Sequence, residues 1–215
     1  MAKAWLSVEL EDYERHVELD HVGQAPAIRS CIASAIRQWQ PQSLLYLGCA
    51  GGNGLEAASG IAQVVAVDFN QRYLNQAALR HPEINFLCWD LNDGAPHIPP
   101  VDLIFGALVL EYITNLEALL RGLTTRLNRH GKLMVLLLGV RNDAPAVLPS
   151  PYRAALSGVG AEYRSIAKGD FLDMASAAGW AILSEREIEL PSGKYFSELV
   201  LTPVQARHTV LDTHA

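Results

Sequence analysis

Apolar residues along this chain fall into short unbroken runs separated by stripes four residues apart. Residues 44–47, 64–67, 84–88, 102–105 and 132–138 are compact apolar runs bounded by Gly, Pro, Asn or Asp. Runs of that kind suit strands buried on both faces of a parallel sheet. Helical stretches stand between them. Asn70 is placed to cap a helix through Leu79 that Pro82 closes, and Thr114 or Asn115 to cap one that reaches Leu127. Gly131 then precedes the fifth strand, and a helix over 170–178 ends at Gly179. Residues 92–100 are turn chemistry almost throughout, so the third crossover helix is expected to be short or missing. Ahead of the sheet, residues 1–40 read as helical. Residues 9–22 mix charged and apolar positions, and Pro26 begins a helix to Trp39 with Ile28, Ile32 and Ile36 on one buried face beside Cys31 and Ala35. At the far end, 180–189 and 195–201 flank the tight turn Pro191-Ser192-Gly193 and must run antiparallel.

The first strand leads into a loop with glycines at Gly48, Gly51, Gly52 and Gly54, where backbone can turn sharply and approach a ligand closely. Asn53 is placed to cap a helix to about Ser59, which would set a row of free N–H groups against one cofactor. The second strand ends in Asp68, twenty positions after Gly48, where a carboxylate can hold the two hydroxyls of a ribose. The third ends in Trp89-Asp90-Leu91. Taken together, these residues resemble the class I S-adenosylmethionine-dependent methyltransferases, over roughly residues 40 to 202.

That resemblance implies an α/β, Rossmann-like fold: a mostly parallel seven-stranded sheet in the order 3-2-1-4-5-7-6, with an antiparallel last strand and the N-terminal helices added in front. It implies S-adenosylmethionine as cofactor and S-adenosylhomocysteine as product. The loop (Tyr46, Gly48, Cys49, Ala50, Gly52) would take the methionine end, Asp68 the ribose, Asp90 and Leu91 the adenine, and Phe69, Ala107, Tyr13 and His16 further contacts. Two positions depart from the family pattern. Tyr46 stands where an acid is usual, leaving a hydroxyl to accept a hydrogen bond. Ala50 replaces the middle glycine, which is tolerable if its φ is negative and Gly51 takes the special conformation.

Beyond the fourth strand, where the methyl should point, Glu111 and Tyr112 are catalytic candidates together with His16; Glu111 also suits a role in capping the next helix. His97 and His130 read as surface residues. Residues 141–166, broken by prolines and glycines, are too long for an ordinary connection of roughly 2–6 residues. They carry Tyr152, Arg153, Tyr163 and Arg164, and are expected to form a lid with the helix bearing Tyr13 and His16. The domain reading is therefore a helical cap (1–40), a methyltransferase domain (41–203) containing this lid, and a tail (204–215).

Composition narrows the function. A net charge of −6 without a basic stripe speaks against nucleic acid as substrate. The longest apolar run, about eight residues, is too short to cross a bilayer. Cys31, Cys49 and Cys88 lack metal-ligand spacing and suit reduced thiols in a cytoplasm. No metal is expected, and a homodimer is left open. The reading is methyl transfer to a small-molecule acceptor by in-line displacement. The alternatives are a protein of this fold that binds the cofactor feebly and acts by association, and a nicotinamide-dependent oxidoreductase.

Overall fold

A computed structural model describes residues 3–141, 144–191 and 193–204. In it the apolar runs become β1 (Ser43–Leu47), β2 (Gln63–Asp68), β3 (Asn85–Cys88), β4 (Val101–Ala107) and β5 (Leu127–Val140). These five pair in parallel. The hairpin of β6 (Trp180–Glu189) and β7 (Lys194–Pro203) completes the sheet, with β7 antiparallel to both neighbours. The order is β3-β2-β1-β4-β5-β7-β6, as expected.

Side chains alternate across each strand, so each run feeds two cores. Leu45 and Leu47 face one layer, with Leu119, Leu120 and Leu123 of α4 (Leu116–Thr124) and Phe171 of α6 (Lys168–Ala177). Leu44 and Tyr46 face the other, with Ile28, Cys31 and Ile32 of α2 (Gln24–Trp39) and Leu74 of α3 (Gln71–Arg80). Each fully buried leucine contributes about 2–3 kcal/mol of transfer free energy. A third, smaller cluster lies outside the two layers. Val8, Leu156 and Val159 are its buried centre, with Trp5, Tyr13, Tyr112 and Tyr152 packed around them. It joins the N-terminal segment, including α1 (Leu10–Glu18), to the region of α5 (Ser157–Glu162).

Two caps fall where predicted: Asn70 accepts from the Arg72 N–H at 3.1 Å and Asn115 from the Ala118 N–H at 3.1 Å. Elsewhere the boundaries differ. Only a 3-10 turn, Leu55–Ala58, follows the glycine loop, and Asn53 does not cap it. The Asn53 side chain instead accepts from Arg29 at 2.9 Å and donates to the Ala25 carbonyl at 3.4 Å. So few residues separate Gly54 from Gly60 that no α-helix can propagate there. Helix α4 ends at Thr124, short of Leu127, because β5 already begins at Leu127. The register shift between Val101 and Leu103 takes up the extra residues. Gly131 lies inside β5 at that irregularity, where a Cβ would stand 3.0 Å from the Val101 carbonyl. Ser192 of the predicted turn and most of the tail lie outside the described residues.

Candidate functional site

Register brings the parallel strands to one level. Leu47 stands opposite Val67 and Gly106, and Asp68 opposite Cys88. The glycine loop, Asp68, Asp90 and Ala107 therefore open on one edge of the sheet, beyond the carboxyl ends of the strands. Within the loop the left-handed conformations fall on Gly48 (φ 65°), Ala50 (φ 45°), Gly52 (φ 92°) and Gly54 (φ 90°). The expectation for Ala50 is thus corrected: alanine itself adopts positive φ, and Gly51 does not. Its N–H compensates by donating to Asp68 Oδ2 at 3.0 Å.

Asp68 is pinned by backbone at both oxygens, since the Asn70 N–H donates to Oδ1 at 2.9 Å. Burial raises its pKa, and the N–H groups of Asn70 and Ala50 oppose that rise. Each oxygen keeps a further lone pair, which suits a bidentate contact with a diol. Tyr46 works from beneath the loop. Its ring packs edge-on against Phe105 at 5.1 Å, and its hydroxyl donates to the Asn53 carbonyl at 2.9 Å.

Three spaces that share lining residues lie along this edge. A narrow cleft of about 70 Å³ is walled by Asp68, Phe69, Asp90, Leu91 and Ala107, together with Gly48, Ala50 and Tyr13. Asp90 both lines it and starts a 3-10 turn by accepting from the Asn92 N–H at 2.9 Å. A wider cavity of about 690 Å³ takes in Gly48–Asn53, including Cys49 and Gly52, and reaches Tyr46. Two ion pairs border it, Arg80 with Glu14 and Arg29 with Glu18. Arg80 also donates to the Gly51 carbonyl at 3.2 Å, and a Cβ on Gly51 would lie 2.1 Å from Glu14 Oε1. Absence of a side chain at Gly51 thus lets this pair sit on the loop. The third space, a pocket of about 50 Å³, is roofed by α1 and the region of α5 and holds His16, Tyr112 and Tyr163 in its wall.

His16 faces this roofed pocket and not the narrow cleft. It is 5% exposed, its Nδ1 pairs with Ser150 Oγ at 2.8 Å, and burial lowers its pKa, aided by Lys194 and His21. Tyr112 walls both the cleft and the pocket, with Trp5 edge-on at 5.6 Å and Tyr163 at 6.2 Å. Glu111 is 1% exposed and turns away from all three spaces. Its Oε1 accepts from the Leu138 N–H at 2.9 Å, Oε2 has no hydrogen-bond partner among the described residues, and burial pushes its pKa up to about 7. His97 and His130 are exposed, as predicted.

The expected lid divides. Tyr152 lines the wide cavity and Tyr163 the roofed pocket, whereas Arg153 and Arg164 are exposed. Trp5, Gln24, Tyr73, Trp89 and Leu108 also form walls that the sequence reading missed. Trp5 belongs to no periodic pattern. Leu108 sits in an apolar run that hides its left-handed backbone (φ 56°), a conformation that costs a leucine about 1–2 kcal/mol.

Sheet order and antiparallel ending are those of the class I S-adenosylmethionine-dependent methyltransferase fold. Residues 45–135 match the family described as "Methyltransferase domain", and the chain has the class I methyltransferase fold. S-adenosylmethionine is the cofactor of the family. Trans-aconitate 2-methyltransferase of Klebsiella pneumoniae (strain 342) is 31% identical over 107 residues, 48% of this chain and 42% of the relative. The chain thus spans less than half the length of that curated relative. Magnesium protoporphyrin IX methyltransferase (ChlM) from Synechocystis PCC 6803, solved with bound SAH, superposes with a TM-score of 0.65 at 14% identity over 90% of this chain and 93% of that one. The cyclase SpnF superposes at 0.59 with 17% identity over 76% of each chain. At such identities the two structures bear on the fold alone.

Proposed function

We propose that this chain binds S-adenosylmethionine along the strand edge and transfers its methyl group to a small molecule held in the roofed pocket. The observation that carries this reading is a shared wall: Trp5, Tyr13, Leu108 and Tyr112 border both the narrow cleft and the pocket. In this assignment Asp68 holds the ribose hydroxyls, Asp90 and Leu91 border the adenine, and the glycine loop faces the methionine end. With Tyr46 engaged on Asn53, the charges offered to an amino-acid zwitterion come from Glu14 and Arg80. The cofactor supplies a methyl activated by its sulfonium, taken by the acceptor's nucleophilic atom as the C–S electron pair returns to sulfur. The protein's part is alignment and exclusion of water, which such a displacement needs more than a strong acid or base.

Calorimetry with S-adenosylhomocysteine, followed by turnover over a panel of small acceptors, tests the proposal. A folded protein that takes up no S-adenosylhomocysteine overturns it. A second reading, binding without methyl transfer, is favoured by the left-handed Ala50 and by the cyclase that shares this fold. Tight binding with no turnover on any acceptor would select it.

A further inference from the structure

Charge is divided unevenly between the wide cavity and the roofed pocket. The cavity is bordered by Glu14, Glu18, Arg29 and Arg80, as an amino-acid end requires. The pocket wall, among the described residues, contains no Arg, Lys, Asp or Glu. Four rings stand in it, Trp5, Tyr13, Tyr112 and Tyr163, and most of the rest is aliphatic. Edge-to-face contacts of 5.0 Å (Trp5 with Tyr13) and 5.6 Å (Trp5 with Tyr112) fix three of these rings relative to one another.

Two side-chain amide or imidazole groups interrupt the apolar lining. His16 is already engaged by Ser150. Gln24 is 6% exposed and its side chain stands in the pocket wall. Its carboxamide can both donate and accept, so it offers a polar substituent of a ligand one hydrogen bond in an otherwise apolar wall. Lys194 lies behind the wall and donates its ammonium to the Ala146 carbonyl at 2.6 Å. A carboxylate entering this pocket would lose its water without gaining a cation. Size narrows the choice further: the pocket measures about 50 Å³, while one water needs roughly 10–15 Å³ by the same measure.

We propose that the acceptor is an uncharged single-ring molecule, held between these aromatic edges with its polar substituent hydrogen-bonded to Gln24. This rests on the methyltransferase reading in taking the roofed pocket as the acceptor site. It sets this chain apart from a tricarboxylate-methylating enzyme.

The test is a fluorescence titration of the full chain, saturated with S-adenosylhomocysteine, using matched probes. Phenol, benzyl alcohol and benzamide are the neutral rings; benzoate and trans-aconitate are the anions. At least one neutral ring is expected to bind ten times more tightly than either anion. Gln24→Leu should weaken that ring roughly three- to tenfold, the loss of one hydrogen bond, and leave S-adenosylhomocysteine affinity unchanged. Val159→Trp, which fills the pocket, should block the ring and spare the cofactor product; if it fails to fold by circular dichroism, Gln24→Leu decides. Anions binding as well as neutral rings, no neutral ring binding, or an unaffected Gln24→Leu would overturn the proposal. Affinity for S-adenosylhomocysteine is measured first and by itself. Were it absent, the same titration on the free protein would still read the pocket.

Discussion

At the scale of single residues, the site depends on backbone N–H groups meeting one carboxylate. Asp68→Ala removes both the proposed diol contact and the acceptor that steadies the left-handed Ala50. Losing a charge-assisted hydrogen bond costs about 1.5–3 kcal/mol, so S-adenosylhomocysteine should bind roughly ten- to a hundredfold more weakly by calorimetry. Unchanged affinity would remove Asp68 from the site. Ala50→Gly reads the other side of the same bond. It relieves about 1–2 kcal/mol of left-handed strain against about 0.4–1 kcal/mol of added chain entropy, so urea unfolding should show stability held or slightly raised. A clear loss of stability would show that Ala50 is not strained. Gly52→Val should abolish binding for a reason the sequence did not suggest. At φ 92° the new Cβ meets His81 and Leu55, both at 3.1 Å, so the loop distorts before any ligand is obstructed.

At the scale of elements, the roof is held on by a few long-range contacts. His21 Nε2 lies 3.0 Å from the Pro149 carbonyl, and the Ala4 N–H reaches the Glu162 carboxylate at 3.2 Å. Tyr163 donates its hydroxyl to the Leu138 carbonyl at 2.8 Å, tying the segment back to β5. Most walls of the narrow cleft come from other parts of the chain. Shortening the loop between β5 and α5 should therefore spare S-adenosylhomocysteine affinity while turnover of the acceptor falls to background. Equal loss of both would make the segment a support for the cofactor, and loss of neither would make it a linker. With Arg153 and Arg164 exposed, the tyrosines at 152 and 163 are what the segment brings inward.

At the scale of the whole molecule, Glu111 couples the fold to pH. Burial raises its folded pKa from 4.5 to about 7, so the folded state holds a proton that the unfolded state releases. The protonated form's stabilisation is complete below pH ~4.5, fades as pH rises through 7, and is gone above it. The shift corresponds to about 3 kcal/mol as an order of magnitude. Glu111→Gln keeps an acceptor for the Leu138 N–H without the charge. It should unfold at higher urea than the parent at pH 8 and at nearly the same urea at pH 5. A difference independent of pH would mean that the carboxyl is already ionised in the fold.

Local pattern settled much of this protein: five buried runs, the closing hairpin, the caps at Asn70 and Asn115, the glycine turn and the acid ending β2. These follow from spacing and from backbone chemistry within a few residues, which a linear reading can measure. What one residue does about another forty or more positions away was not legible. That Ser150 meets His16, that Trp5 and Leu108 share two walls, and that Gln24 enters the pocket wall all depend on which surfaces the sheet order brings together. Even Ala50 was misread, because its left-handed turn is steadied by a hydrogen bond that its N–H donates to Asp68, eighteen residues on. The sequence by itself determined the sheet order and singled out the residues proposed to hold the cofactor. Only the tertiary structure decided which side chains wall the roofed pocket, since residues 5–24 and 108–163 meet there from distant parts of the chain.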